Sequence, residues 1–413
     1  MNIRMIPLSA FLEWIGSPLA LSVGLVVLMV LISILTAYAL IALQLIRKKG
    51  HLPSENASDD SRFPNLSRMD QEQEQPSDYR SMTLPQICEG FRNYAAGRLG
   101  LYYDIADIRR FVAGMGISKL VILQGMSGTG KTSLAYAAGE YFGNPATIVP
   151  IQPMWKERSD ILGYFNEFTK RFNETTLLCK LYEAGGKQDI YITVLDEVNI
   201  SRIEYYFAEF LSLLELPDPD KRMLDVVSDS WESDPKRLQG GKLLLPENMW
   251  FIGTANNDDS TFSISDKVYD RAAVLDLDRK CAPFTADAPQ TAHISFAELN
   301  RRFADAKKKY SLSPQSRAAL LKLDSYLAEN FRISFGNRIL RQIEEYVPIM
   351  IACGGSESGA LDDILSRKIL RKLEQVSPAL IRTSVPELSR GLENLFGSLP
   401  MSQAVLNRLM KSV

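Results

Sequence analysis

Hydrophobic and polar positions divide the chain into three regimes. From Ile15 to Ile46 no charged residue occurs, and from Leu19 the run LALSVGLVVLMVLISILTAYALIALQLI is apolar apart from scattered Ser, Thr, Tyr and Gln. About 20 residues cross a bilayer core, and a signal-peptide core holds only about 7–15. Residues 18–46 are therefore expected to form a single transmembrane helix. Only Arg4 is basic before the run, whereas Arg47, Lys48 and Lys49 follow it directly. The positive-inside rule then expects residues 1–17 outside the cell's inner membrane and everything after the helix in the cytoplasm. Residues 47–80 form the second regime. Their 51–80 portion holds seven acids, three arginines and three prolines without apolar periodicity, which reads as a flexible acidic tether.

From about Ser81 onward short apolar runs alternate with helical patterns. Lys119–Gln124, Ile190–Leu195 and Asn248–Gly253 are brief, apolar and bounded by loop residues, as buried strands of a parallel sheet would be. Apolar residues at 203, 206, 207, 210, 211, 213 and 214 predict one helix over 201–215. After about Pro283 only helical patterns follow, at 296–309, 314–330, 337–351, 362–376 and 385–396. The fold class implied is α/β: a parallel sheet sandwiched by helices over 81–284, followed by a helical domain over 285–413.

Composition removes several chemistries. With 47 Lys+Arg against 49 Asp+Glu the net charge is -2, so no bulk field draws in nucleic acid. The basic runs Lys307-Lys308-Lys309, Arg367-Lys368 and Arg371-Lys372 lack interleaved aromatics and read as solvated helix faces, so direct nucleic-acid contact is not expected. His51 and His293 cannot build a His-rich metal site. Cys88, Cys179, Cys281 and Cys353 contain no CxxC pair, so a zinc ribbon or disulfide framework is not supported.

One motif supplies chemistry directly. Gly125-Met-Ser127-Gly128-Thr129-Gly130-Lys131-Thr132 follows a strand candidate and opens a helical pattern at Ser133, which is strand, GxxxxGK[ST], helix in the required order. Glycines let backbone N–H groups turn around phosphate, and the helix N-terminus adds positive partial charge. Lys131 is expected to reach the β and γ phosphates and Thr132 to ligate Mg²⁺. A second strand ends in Asp196-Glu197, expected respectively to hold Mg²⁺ and to polarise the attacking water. The third strand runs into Asn256-Asn257, either of which could orient that water. Arg271 lies beyond and is a candidate for reaching a neighbouring subunit's γ-phosphate.

Together these elements resemble the AAA+ ATPases, in the branch containing MoxR-type chaperones and McrB-like restriction motor subunits. The resemblance runs from about Leu84 to Val413 and rests on GMSGTGKTS, the segment Trp155–Asn166, VLDEVN at 194–199, IGTAN at 252–256 and Gly336-Asn337-Arg338. It implies a Walker A loop at Gly125, Gly128, Gly130, Lys131 and Thr132, with Ser127, Thr129 and Ser133 completing the nucleotide contacts. Walker B is then Asp196 and Glu197, the sensor asparagine Asn256, the arginine finger Arg271, and the second sensor Arg338, reaching the γ-phosphate from a helical lid. Residues 222–245 look like the hairpin that precedes the sensor strand. Two departures stand out: Asp270-Arg271-Ala272 replaces the branch's Arg-Arg-Phe finger run, and Ile200 replaces the arginine that often follows DEVN.

The function implied is a membrane-anchored ATPase that assembles as a homo-oligomeric ring, a hexamer, and uses ATP with Mg²⁺ to remodel a partner protein or complex. Alternatives are a GTP-using motor subunit of an antiviral restriction system, and a switch whose assembly is gated by nucleotide.

Overall fold

The fold is taken from a computed structural model that describes residues 61–72, 78–256, 261–287 and 289–412. The expected membrane anchor at 18–46 and the segment 1–17 lie outside the described residues. Among the described residues no helix is long and apolar enough to cross a membrane. That finding overturns the expectation of a single-pass inner-membrane protein. Even the longest described helix, Pro378–Phe396, is interrupted by Arg382, Glu387, Arg390 and Glu393.

Five parallel strands form the central sheet: β1 (Leu120–Gly125), β2 (Thr147–Pro150), β5 (Tyr191–Asp196), β9 (Met249–Asn256) and β10 (Ala273–Asp276), in the order β10-β1-β9-β5-β2. The two-residue period of a strand sends alternate side chains to opposite faces. Val121, Leu123, Ile192, Val194, Trp250, Ile252 and Leu275 enter one hydrophobic cluster, while Leu120, Ile122, Tyr191, Leu195, Phe251 and Val274 enter another. Helices cover both faces, which explains why these strands read as continuous apolar runs. The helices 84–99, 105–115 and 131–142 pack on the first face together with the C-terminal helices, so one core runs from the sheet into the helical domain. The helices 176–184 and 203–213 cover the second.

Two small antiparallel sheets stand outside this layer. β3 (Gly163–Asn166) and β4 (Arg171–Glu174) make a hairpin that begins inside the Trp155–Asn166 segment. β6 (Met223–Asp225), β7 (Leu238–Gln239) and β8 (Lys242–Leu244) form a three-stranded sheet over the segment expected as a hairpin.

Three other expectations change. The single helix over 201–215 is two pieces, Ile203–Tyr206 and Ala208–Leu213, broken at Phe207 with φ −110°. The break accompanies the stacking of Phe207 on Phe210, ring centroids 4.5 Å apart, with both edges against Phe251; aromatic packing has overridden helical regularity. The helix expected over 362–376 runs from Glu357 to Ile364, then widens into a π turn at Leu365–Ile369 and tightens over Leu370–Gln375. Its residues Arg367 and Lys368 are buried rather than solvated, whereas Lys307, Lys308 and Lys309 are exposed.

The expected tether is also folded in part. Arg62 is 1% exposed, donates to both carboxylate oxygens of Asp234 at 2.8 Å and to Asp229 at 2.9 Å, and lies 4.4 Å from the Trp231 ring centroid. Phe63 stacks on Phe172. The Glu174 carboxylate accepts from the backbone N–H groups of Asn65 and Leu66, at the start of a Pro64–Met69 helix. Polar composition hid this segment because ion pairs and two apolar side chains, Phe63 and Leu66, rather than a long apolar stripe, hold it.

Candidate nucleotide-binding site

The site is assembled at the C-terminal edge of the sheet, where parallel α/β folds place ligands. Register fixes it: Gly125 lies level with Asn256, Leu195 with Gly253, and Pro150 with Asp196. Three loops that are distant in sequence therefore meet at one edge.

β1 leads into the loop Gly125–Gly130 and then the Lys131–Phe142 helix. A Cβ at Gly125 would lie 2.6 Å from the Leu277 carbonyl oxygen, so the close approach of the strand beyond β10 demands glycine there. Gly128 and Gly130 take φ of 76° and 91°, the left-handed region that glycine enters without steric cost. The turn aims the first N–H groups of the helix at the loop's hollow. Lys131 is buried, and its Nζ donates to the carbonyls of Gly125 at 3.0 Å and Met126 at 2.7 Å. Ser127 is exposed on the loop, the Thr129 hydroxyl donates to the Met126 carbonyl, and Ser133 is half-buried in the first helical turn.

Thr132 Oγ1 donates to Asp196 Oδ1 at 2.8 Å. A hydroxyl and a carboxylate from two elements form the hard-oxygen pair that suits Mg²⁺, which takes one or two carboxylates and otherwise water and phosphate oxygens. The donor set thus fits the expected metal. Thr254 Oγ1 also donates to Asp196 Oδ1, at 2.8 Å, and accepts from the Glu197 N–H at 2.9 Å. In the sequence Thr254 stands inside IGTAN without a role of its own.

Glu197 has φ of 57°, a conformation that costs a non-glycine residue about 1–3 kcal/mol and persists only where surroundings impose it. Its side chain is exposed, and Oε1 accepts from Asn256 Nδ2 at 3.4 Å. Asn256 thus faces the acid; Asn257 lies outside the described residues. Asn199 is buried behind them and donates from Nδ2 to the Asn256 carbonyl and to Thr261 Oγ1, both at 2.9 Å. It fixes the strand tip that carries Asn256, a role its place in VLDEVN did not reveal.

The two arginines lie elsewhere. Arg271 precedes β10, whose Ala273 is level with Val121 near the start of β1. At roughly 3.3 Å per residue, that N-terminal edge is about 17 Å from Gly125. Arg338, on the Gly336–Ala352 helix, lines the same cleft as Arg271, a cavity of about 560 Å³ bordered by Met115–Leu120. It does not line either of the two clefts described below beside the P-loop. Both arginines pair with Glu215, Arg271 at 2.7 Å and Arg338 at 2.6 Å.

Other side chains border the P-loop from the helical domain. A cleft of about 600 Å³ is lined by Tyr102, Thr129, Asp278, Lys280 and Arg408, and an adjoining one of about 550 Å³ by Gln124, Asn256, Arg371 and Arg408. Asp278 borders both, and burial together with the charge of Asp276 raises its carboxyl above the usual range. Between the clefts runs a buried polar chain. Gln124, the residue before the loop, donates to Asp276 at 2.6 Å, and Asp276 pairs with Arg367 at 3.2 Å. Arg367 pairs with Asp363 at 2.8 Å, and Asp363 accepts from the Tyr346 hydroxyl. The base of the P-loop is thereby tied to the helical domain.

Residues 120–272, from the start of β1 to Ala272, match the family model of the AAA domain, dynein-related subfamily. Over those residues the chain is similar to an AAA domain, which supports an AAA+ ATPase. The match covers the P-loop, both acids and Asn256, and such a domain binds nucleotide, typically with Mg²⁺. No curated protein matches the chain. Among solved structures the chain is similar to a protein assigned as an ATPase from Cytophaga hutchinsonii, at 12% identity and a TM-score of 0.46, over 79% of this chain and 93% of that one. It is also similar to a full-length MCM homolog from Methanopyrus kandleri, at 9% identity and a TM-score of 0.38, over 68% of this chain and 58% of that one.

Proposed function

We propose that the AAA+ domain hydrolyses ATP in a homo-oligomeric ring, a hexamer, and that the cycle remodels a partner protein or complex. The observation that carries this reading is the division of the predicted site between two edges of one sheet. Lys131, Thr132, Asp196, Glu197 and Asn256 gather at one edge, while Arg271 and Arg338 gather at the other, about 17 Å away at 3.3 Å per residue. A chain whose Arg271 and Arg338 lie away from its own P-loop needs a second copy to bring those two arginines to its phosphates.

In this reading the backbone of Gly125–Gly130 and the Lys131 ammonium hold the β and γ phosphates. Thr132 and Asp196 would hold Mg²⁺, which when bound neutralises charge developing on the phosphate oxygens. Glu197 accepts a proton from the attacking water, and Asn256, within reach of the same carboxylate, orients it. Arg271 and Arg338 of one copy stabilise the transferring phosphoryl group held by the next. ATP is the nucleotide proposed, on the breadth of the family; equal displacement of labelled ATP by GTP would contradict that choice. The restriction-motor alternative would use the same site.

Mixing tests the division directly. Lys131→Ala removes phosphate binding and Arg271→Ala removes the donated cation, so Lys131→Ala alone should be inactive and Arg271→Ala alone should keep only a small residual turnover. Mixed, they can form interfaces with an intact loop on one side and an intact arginine on the other, and turnover should partly return. A mixture as inert as its components would count against sites shared between copies.

A further inference from the structure

We propose that Glu215 is a positioning residue that sets Arg271 and Arg338 side by side for one phosphoryl group. The proposal rests on the reading above, in which both arginines act on nucleotide held by a neighbouring copy.

Glu215 lies just beyond the Ala208–Leu213 helix, at the edge of the sheet opposite the P-loop. Its carboxylate is divided between two partners: Oε2 meets Arg271 Nη2 at 2.7 Å and Oε1 meets Arg338 Nη2 at 2.6 Å. The guanidiniums come from different parts of the fold, one from the turn before β10 and one from the helical domain. Two like charges in one cleft repel, and Arg222 and Arg341 add to the positive charge on its walls, offset in part by Glu247 and Glu345. A carboxylate between them reverses that repulsion and fixes the tips one carboxylate-width apart.

The backbones are held to the same register. Arg271 Nη1 donates to the Lys267 carbonyl at 3.1 Å, which restrains the guanidinium from its own side. One turn beyond Arg338 on the same helix, Gln342 Nε2 donates to the Asp270 carbonyl at 2.9 Å, next to Arg271. The other end of that amide accepts from the buried Lys368 Nζ. The helix that carries Arg338 is thus docked on the turn that carries Arg271, and Glu215 completes the alignment at the side-chain tips. Arg338 is 53% exposed, whereas Arg271 at 25% and Glu215 at 27% are half-buried, so Arg338 is the more open of the two arginines.

A transferring phosphoryl group spreads charge over three equatorial oxygens. Two guanidiniums already fixed side by side can each donate to a different oxygen without further ordering, and that advantage is realised in the transition state rather than in ATP binding. Loss of Glu215 should therefore lower kcat while leaving KM for ATP in place, because ATP is held by the other edge of the sheet.

The test uses Mg²⁺-ATP turnover of the full chain for Glu215→Ala, Glu215→Asp, the double variant Arg271→Ala/Arg338→Ala, and the triple variant combining that double with Glu215→Ala. Glu215→Ala should lower kcat about tenfold or more with KM within about twofold, and Glu215→Asp should recover part of the loss. The triple variant should be no slower than the double, because Glu215 acts only through the arginines. Glu215→Gln, which keeps shape and loses charge, is read in place of Glu215→Ala should the latter not fold. A double variant reduced to residual turnover beside an unaffected Glu215→Ala overturns the Glu215 assignment alone. So does a further loss in the triple variant. A double variant that turns over like the wild type overturns the arginine reading and this proposal with it.

Discussion

Replacing Thr254 by valine removes one hydroxyl from the centre of the acid pair while keeping the side chain's shape. Thr254 is 2% exposed, so water does not substitute freely. Two interactions disappear: the 2.8 Å donation to Asp196 Oδ1 and the 2.9 Å acceptance from the Glu197 N–H. A hydrogen bond to a charged group contributes about 1.5–3 kcal/mol, and a stranded N–H costs about 1–3 kcal/mol. Asp196 is half-buried and keeps its contact with Thr132, which places the first loss at the low end. The sum is about 3 kcal/mol, or a fall of roughly 6 °C in Tm at about 2 °C per kcal/mol for a large domain. The same N–H anchors Glu197 in its left-handed conformation, so ATP turnover should fall more than ATP binding does. Thermal unfolding of Thr254→Val, Thr254→Ser and wild type checks the first part, with serine expected near wild type. A Thr254→Val protein melting within about 1 °C of wild type would refute the reasoning.

Lys368 and the N-terminal segment give two further expectations. Burial lowers the Lys368 ammonium to about 7 from 10.5, so between those values the unfolded chain binds more protons and stability rises with pH. Tm should therefore climb between about pH 7 and pH 9, and Lys368→Met should flatten the climb. Arg62→Ala strands the buried Asp234 carboxylate, a loss of about 3–5 kcal/mol to the local structure. Hydrogen exchange in residues 61–72 should accelerate at least about a hundredfold; unchanged protection would mean the segment is held by Phe63 and the Glu174 cap instead.

What was legible in the sequence was local. The run before Gly125, the glycine spacing and the acid pair after Leu195 are contiguous signals, and strand register then brings them to one edge. Asn256 was legible as one of two neighbouring asparagines, and the structure places it in contact with Glu197. Glu215 was not legible, because its meaning comes from partners 56 and 123 positions away, 271 − 215 and 338 − 215, in two different parts of the fold. Thr254 was hidden as one hydroxyl in an apolar strand. The break at Phe207 follows from ring stacking, which a helical period does not encode. The burial of Arg367 follows from Asp276 and Asp363 closing around it, so a basic run read as a solvated face became part of the tie between P-loop and helical domain.

The central claim is that Glu197 activates water for hydrolysis of nucleotide held by Lys131 and Thr132. Its most direct test is Mg²⁺-dependent ATP turnover of the wild type beside Glu197→Gln, with ATP binding measured on both across a range of protein concentrations. The account predicts that Glu197→Gln binds ATP as the wild type does and loses at least about a hundredfold in turnover. Wild-type protein that binds ATP but shows no hydrolysis above background at any concentration would contradict it and leave a nucleotide-gated switch in its place.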